Sequence, residues 1–570
     1  MEASLWRAHA ARREVTLERL PKSWQRLGGR GLIPRTLLDE VPPTCDPLGP
    51  FNKLIWAPGL LVGHGLSSCD RISVGGKSPL TNGVKESNAG GTTGLQLARL
   101  GIRALILEGA PPEEWAVLHL SKRGGRFESA ADLLGLGVYE AAERLRSRFG
   151  PKAAIALIGP GGEMGLASAG IQNLDKDGEP SRINARGGLG ALMGAKRLKA
   201  LVIDAEGAEP PPLADEPAFR AAQKKYTQAL LAHPQTTTYA EYGTAAMVMM
   251  CDDFGGLPTR GFSSGTFEQA EKISGEALRE LLLARGGEAE TTHACMAGCV
   301  IRCSNCFAGP SGERAVSPIE YETIGLVGSN LGIGDLDAIA RINWELNDLG
   351  LDSIEIGAAL GVAAQAGWME FGDAQSAMRL IDEIRRGTPL GRVIAQGAAV
   401  AGRVFGIRRV PVVKGQAISA YDPRAIKGTG ATYATSPQGA DHTAGLTIRA
   451  KINHLDPQGQ TEVSLKSQIN MAGYDTLGAC IFSGFGFARA PVTTRELLQC
   501  RYGWDPGESP LQDLGRETLR LERAFNTAAG FGTADDRLPE WMTTEPLPPH
   551  DAVFDVPSEA LDGIFRDLGV

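Results

Sequence analysis

Four cysteines fall within twelve residues, Cys295, Cys299, Cys303 and Cys306 in THACMAGCVIRCSNCF, and no other feature limits the chain as strongly. The remaining five of the nine cysteines are scattered, too sparse to frame 570 residues with disulfides. The opening stretch, MEASLWRAHAARREV, has basic residues but no apolar core behind them, so it does not read as a Sec signal, and the protein is expected in the cytoplasm. In such a chain clustered cysteines point to metal binding or redox chemistry. Thiolates suit iron–sulfur clusters, and a cubane cluster needs four of them. Structural zinc usually takes two separated C-x2–4-C pairs, and there is no second pair here. The run C-x2-C-x2-C of ferredoxins is not matched either. Iron–sulfur, zinc and inert cysteines stand as readings in that order. Cys295, Cys299 and Cys303 can hold three irons, leaving the fourth ligand to arrive from elsewhere in the fold. Cys480 is a candidate, because Asp475-Thr-Leu-Gly478-Ala479-Cys480 looks like Asn347-Asp-Leu-Gly350-Leu351-Asp352.

At about 150 residues per domain the length implies three to four domains. A net charge of −8 argues against a nucleic-acid partner. No apolar run approaches the ~20 residues needed to span a bilayer. The 73 glycines sit in discrete loops such as SNAGGTTG, IGPGGEMG and ARGGLGALMG. Glycine lets backbone approach a large ligand closely, although a β-rich domain with many tight turns is the reading composition alone favours. Residues 1–208 read as β-rich, with short apolar runs such as RALILEG and KALVIDA. AEGAEPPPLADEP at 205–217 reads as a linker. Residues 209–403, which hold the cysteine cluster, show helical spacing, and 404–570 mix loops with helices around Cys480. No internal repeat of fixed period is visible.

Several blocks in order carry a family resemblance: LGGRGLIPRTLL, RISVGGKSPLTNGVKESNAGGTTG, ARGGLGALMGAKRLKAL, SPIEYETIG and YDPRAIKGTGATYATSPQGADH. With the two paired segments above, they resemble the aldehyde:ferredoxin oxidoreductase family from about residue 27 to about 490. That family carries paired D-x-x-G-L-[CD] motifs, one for each pterin of a bis-pterin tungsten or molybdenum cofactor. The resemblance implies that Cys295, Cys299, Cys303 and Cys480 hold a 4Fe-4S cluster, with Arg71 between cluster and pterin. Asn88 and Ala185 match oxygens that meet a Mg2+ ion bridging the pterin phosphates. Gly90, Gly91, Arg186, Gly187 and Gly188 match the phosphate cradle. Asn347, Gly350, Leu351 and Asp352, with Asp475 and Gly478, match the residues that hold the pterin rings. Glu320 or Glu322, with Glu320 preferred, and His442 match the carboxylate and histidine beside the metal.

The fold implied is α+β, an N-terminal β-sheet domain forming the pterin base followed by two mainly α-helical domains. The activity implied is oxidation of aldehydes to carboxylic acids, with electrons leaving through the cluster to ferredoxin or an electron-transfer subunit. A homodimer is implied by the same likeness. The alternatives are the active-site subunit of an aromatic acyl-CoA reductase and an iron–sulfur electron-transfer protein without a working pterin site. The chain departs from the family pattern in the x3 first cysteine spacing, at Asn347 and Ala479, and in the additional Cys306.

Overall fold

The computed structural model describes residues 4–569. Its N-terminal part is a duplication. The first six strands are β1 (Ser4–His9), β2 (Glu14–Arg19), β3 (Leu54–Pro58), β4 (Ile72–Lys77), β5 (Val84–Ala89) and β6 (Ile102–Glu108). They pair in the order β2-β1-β6-β3-β4-β5. The next six are β7 (Ala116–Ser121), β8 (Gly124–Ser129), β9 (Ala154–Leu157), β10 (Ile171–Leu174), β11 (Pro180–Asn184) and β12 (Leu198–Asp204), in the order β8-β7-β12-β9-β10-β11. Adding six to each strand number turns one sheet into the other. The single parallel pair, β1 with β6, is matched by β7 with β12. A 12-residue helix follows the first hairpin of each unit, Gly29–Glu40 and Val138–Phe149, and a 7-residue helix precedes each last strand, Thr93–Arg99 and Leu189–Ala195. The duplication has no fixed period in sequence, since equivalent strands start at Ser4 and Ala116 but at Ile102 and Leu198, and it lies in topology and packing.

The sheets bury one face against each other, where Trp6, Trp56 and Leu105 of the first meet Leu118, Ala156 and Leu201 of the second in one apolar cluster. Each outer face is covered by its own 12-residue helix. The central strands β6 and β12 are apolar on both faces for this reason. After β12 the chain crosses to helices, the first at Glu216–Leu231, and the acidic proline-rich stretch lies between them. The helix Ala398–Phe405 ends at Gly406 (φ 73°), and the chain runs on outside helices to a short strand at Val412–Val413. Among the described residues no helix is long and apolar enough to cross a membrane.

The two helical parts each deliver one helix C-terminus to one of the sheet units. The helix Leu336–Leu349 ends at Gly350 (φ 72°), and the helix Gln460–Leu477 ends at Gly478 (φ 79°), both left-handed caps. In each, the residue after the glycine donates its N–H to a carbonyl five residues back, Leu351 to Leu346 (2.9 Å) and Ala479 to Tyr474 (2.9 Å). The next residue opens a new helical segment, Asp352 in one and Cys480 in the other. The docking contacts are also paired. Asp352 N–H donates to Ser168 O (2.9 Å) and Cys480 N–H to Ser68 O (2.8 Å), while Gly350 O accepts from Gly170 and Gly478 O from Arg71.

Glycine is required where these ends dock. A Cβ on Gly59 would lie 1.9 Å from Gly478 N, and one on Gly159 would lie 2.4 Å from Leu349 O. Both obstacles are backbone, which cannot rotate aside. Gly59→Ala is expected to destabilise the protein by about 3 kcal/mol or more, the upper range of overpacking. Thermal unfolding checks this against Gly532→Ala, where nothing lies within 4 Å of the added carbon and little change is expected.

Candidate active site between the sheets and the helical lobes

The four cysteines expected to share a cluster line one cavity of about 360 Å³. Three come from the hairpin between β13 (Glu290–His293) and β14 (Ser304–Ala308), and the fourth from the cap that follows Gly478. Ser68 ties the two sources together. Its carbonyl accepts from Cys480 N–H, and its hydroxyl lies 3.4 Å from Cys299 Sγ. A Cβ on Gly90 would come within 3.0 Å of Cys295 Sγ, so the loop after β5 is held bare to admit that thiol. Burial pushes the Cys295 thiol up to about 12 and raises Cys303 and Cys480 as well. Metal-free, these groups hold their protons, and binding of iron must release them. Cys306 stands apart, fully buried on β14 and 3.6 Å from Ser317 Oγ.

Arg71 lines the same cavity, where burial works against its charge and the Asp475 carboxylate supports it. Its Nε donates to Asn88 Oδ1 and its Nη2 to Asn88 O (3.0 Å). Each Asn88 oxygen thus accepts from Arg71, while Ala89, Gly90 and Ala185 line the cavity. Gly91 lies outside that lining, its N–H bonded to Cys295 O (3.1 Å).

Arg186 differs from expectation. Its guanidinium is consumed by protein, donating to Asp352 Oδ2 (3.3 Å), Ser419 Oγ (2.9 Å), Ala440 O (2.7 Å) and Ala417 O (2.6 Å). It fastens the second helical part to the sheet domain and leaves only main chain for a phosphate. Gly187 and Gly188, at φ 84° and 76°, do not reach the cavity lining. Asn347, Leu351 and Asp352 line the cavity, whereas Asp475 turns to Arg30 (3.3 Å). Burial pushes both Asp475 and Glu86 upward, with Glu522 adding repulsion at Asp475 and Asp475 adding it at Glu86.

Both SPIEYETIG glutamates face the cavity but serve different sides. Glu320 accepts from Thr244 Oγ1, lies 3.8 Å from Arg182, and neighbours Cys303. Glu322 lies 3.3 Å from His442 Nδ1 and accepts from Ala420 N–H (2.9 Å). Of the two glutamates, Glu322 is the one that stands beside the histidine. His442 Nδ1 makes its hydrogen bond with Ser419 Oγ, at 3.1 Å, with the Glu322 carboxyl beside it as a charged neighbour. Burial raises the Glu322 carboxyl above its ordinary value, partly offset by His442.

Sequence reasoning missed the group that carries His442. Lys85, completely buried in β5, pairs with Asp441 at 2.6 Å, and Asp441 Oδ1 caps the short helix His442–Ala444 through Thr443 N–H (3.0 Å). No signal in the sequence set Lys85 apart, because the strand around it, VKESNA, is itself polar. Tyr239, Met247, Tyr421 and Phe482 complete the lining, with Tyr239 and Phe482 rings 4.3 Å apart. Arg182 Nε and Glu322 Oε1 are buried without a hydrogen-bond partner among the described residues. Converging thiols, a guanidinium and unsatisfied polar atoms in one wall fit a cluster and a polar cofactor.

Residues 6–205 match the family model described as aldehyde ferredoxin oxidoreductase, N-terminal domain, and residues 221–568 match aldehyde ferredoxin oxidoreductase, domains 2 and 3. The tungsten-containing aldehyde ferredoxin oxidoreductase of Pyrococcus furiosus is 32% identical over 557 residues, covering 93% of this chain and 89% of the relative. That of Thermococcus kodakarensis is 33% identical with the same coverage. The aliphatic sulfonate oxidoreductase, WOR-like subunit, of P. furiosus is 27% identical over 74% of this chain and 72% of its own. In fold, the chain matches the active site complex BamBC of benzoyl coenzyme A reductase in complex with 1,5-dienoyl-CoA. The TM-score is 0.79 at 18% identity, over 100% of this chain and 94% of that chain.

Proposed function

The chain belongs to the aldehyde ferredoxin oxidoreductase family and is an oxidoreductase, and from that premise we propose that it oxidises aldehydes to carboxylic acids. The reaction is RCHO + H2O → RCOOH + 2 H+ + 2 e−. The observation that carries the reading is the convergence of Cys480 with Cys295, Cys299 and Cys303 on the cavity that also holds Glu322 and His442. The four thiolates would hold a 4Fe-4S cluster, and the two Gly350 and Gly478 caps would each seat one pterin of a bis-pterin tungsten or molybdenum cofactor. Such a cofactor would supply two-electron oxidation of the substrate, and a cluster on the four cysteines would supply a single-electron route to ferredoxin or an electron-transfer subunit. Ala185 and Asn88 offer the oxygens for a bridging Mg2+.

The protein's own part is proton handling and placement. Glu322 and Ser419 engage Nδ1 of His442, which leaves Nε2 for the reacting atoms. Nε2 takes the proton of the attacking water, and the Glu322 carboxylate stabilises the imidazolium that results. Tyr239, Tyr421 and Phe482 enclose the substrate and exclude bulk water.

Anaerobically purified protein is expected to carry about four irons for one cubane cluster and about one tungsten or molybdenum per chain, and to reduce viologen dye with an aldehyde. Iron without either heavy metal, or no turnover with aldehydes in fully loaded protein, overturns the reading.

A further inference from the structure

Cys306 has no part in the cavity, yet it is not isolated. In the register of β13 and β14, Glu290 stands opposite Cys306 and His293 opposite Ser304. Glu290 Oε2 lies 2.8 Å from His293 Nδ1 and 3.7 Å from Cys306 Sγ, and the three ligand atoms all fall within 4.8 Å of one another. A tetrahedral ion with bonds of about 2.0–2.3 Å needs its ligands roughly 3.3–3.8 Å apart, so only small side-chain movements separate this group from a coordinating one.

The other face of the imidazole is also arranged. His293 Nε2 lies 3.3 Å from Asp175 Oδ2, and both groups are almost completely buried. A carboxylate on the distal nitrogen is the usual support of a metal-bound histidine, because it fixes which nitrogen is free to ligate. Ser317 Oγ, 3.6 Å from the sulfur, marks where a fourth oxygen ligand or a water would sit.

We propose that Glu290, His293 and Cys306 bind a zinc-class divalent ion, at a site separate from the iron cluster. Mixed sulfur, nitrogen and oxygen ligands select this class over Mg2+ and Ca2+, which take oxygen alone. On binding, the Cys306 thiol gives up its proton and His293 binds through neutral Nδ1. The site sits at the base of the hairpin whose loop carries Cys295, Cys299 and Cys303, where His293 also bridges to Cys303. The ion would clamp the two strands that present the cluster.

The test is metal analysis of purified protein together with Co2+ exchange. The wild type, treated with EDTA and given Co2+, is expected to bind about one Co2+ per chain and to show a thiolate-to-cobalt absorption band. Cys306→Ser is expected to lose the band while its iron content is unchanged. Glu290→Gln, at an exposed position that leaves folding intact, is expected to weaken Co2+ and Zn2+ binding about 10- to 100-fold. Absence of the band in the wild type, or a band and affinity that persist in both variants, overturns the proposal. Neither result depends on aldehyde turnover.

Discussion

Glu322→Gln is expected to lower aldehyde turnover about 10²- to 10⁴-fold, the range by which a positioned acid–base group contributes. The amide keeps the size of the side chain but cannot carry the charge that meets His442 Nδ1 at 3.3 Å. Glu320→Gln is the comparison. It leaves the histidine untouched and alters the side that holds Thr244, Arg182 and Cys303, so its main effect is expected on the cluster. The pH profile separates the two. Burial raises the Glu322 carboxyl above 4.5, and activity requires it deprotonated. The rate is therefore expected to fall as pH drops through that raised value, and this acid limb should disappear in Glu322→Gln and persist in Glu320→Gln. Equal turnover in the wild type and Glu322→Gln would remove the pair from the mechanism.

Replacing Cys480 tests the other half of the site. Cys480→Ser is expected to leave about three irons or fewer per chain, since a hydroxyl is a poor substitute for a soft thiolate. Electron delivery to viologen should fall at least about tenfold. Iron analysis and the spectrum of the reduced cluster measure the loss. Cys500→Ser, at a partly exposed cysteine away from the cavity, is expected to change neither. A full complement of iron in Cys480→Ser would show that the fourth ligand lies elsewhere.

Much of this was legible before folding was considered. The spacing of Cys295, Cys299 and Cys303 announced a cluster lacking one ligand, and the likeness between the segments at 347 and 475 pointed to Cys480. That likeness has a local cause. Both segments are helix ends closed by a left-handed glycine, and such caps are determined by near neighbours. The duplication of the sheet domain was harder to see. Its one trace is RALILEG on β6 and KALVIDA on β12, because equivalent central strands need only be apolar on both faces. Selection for packing preserves hydrophobicity and topology and leaves residue identity free.

What the sequence by itself determined is the chemistry on offer: soft ligands at set intervals, glycine where backbone must meet backbone, and helices that stop where a cofactor can be held. Which carboxylate faces His442, that Arg186 spends its donors on protein, and that Cys306 turns away from the other cysteines toward Glu290 and His293 were decided by tertiary structure. Those choices depend on contacts between residues far apart in the chain, such as Arg186 with Ala440 and Lys85 with Asp441. Two glutamates separated by one residue are equivalent in pattern, and only the surfaces that close around them make one a partner of the histidine.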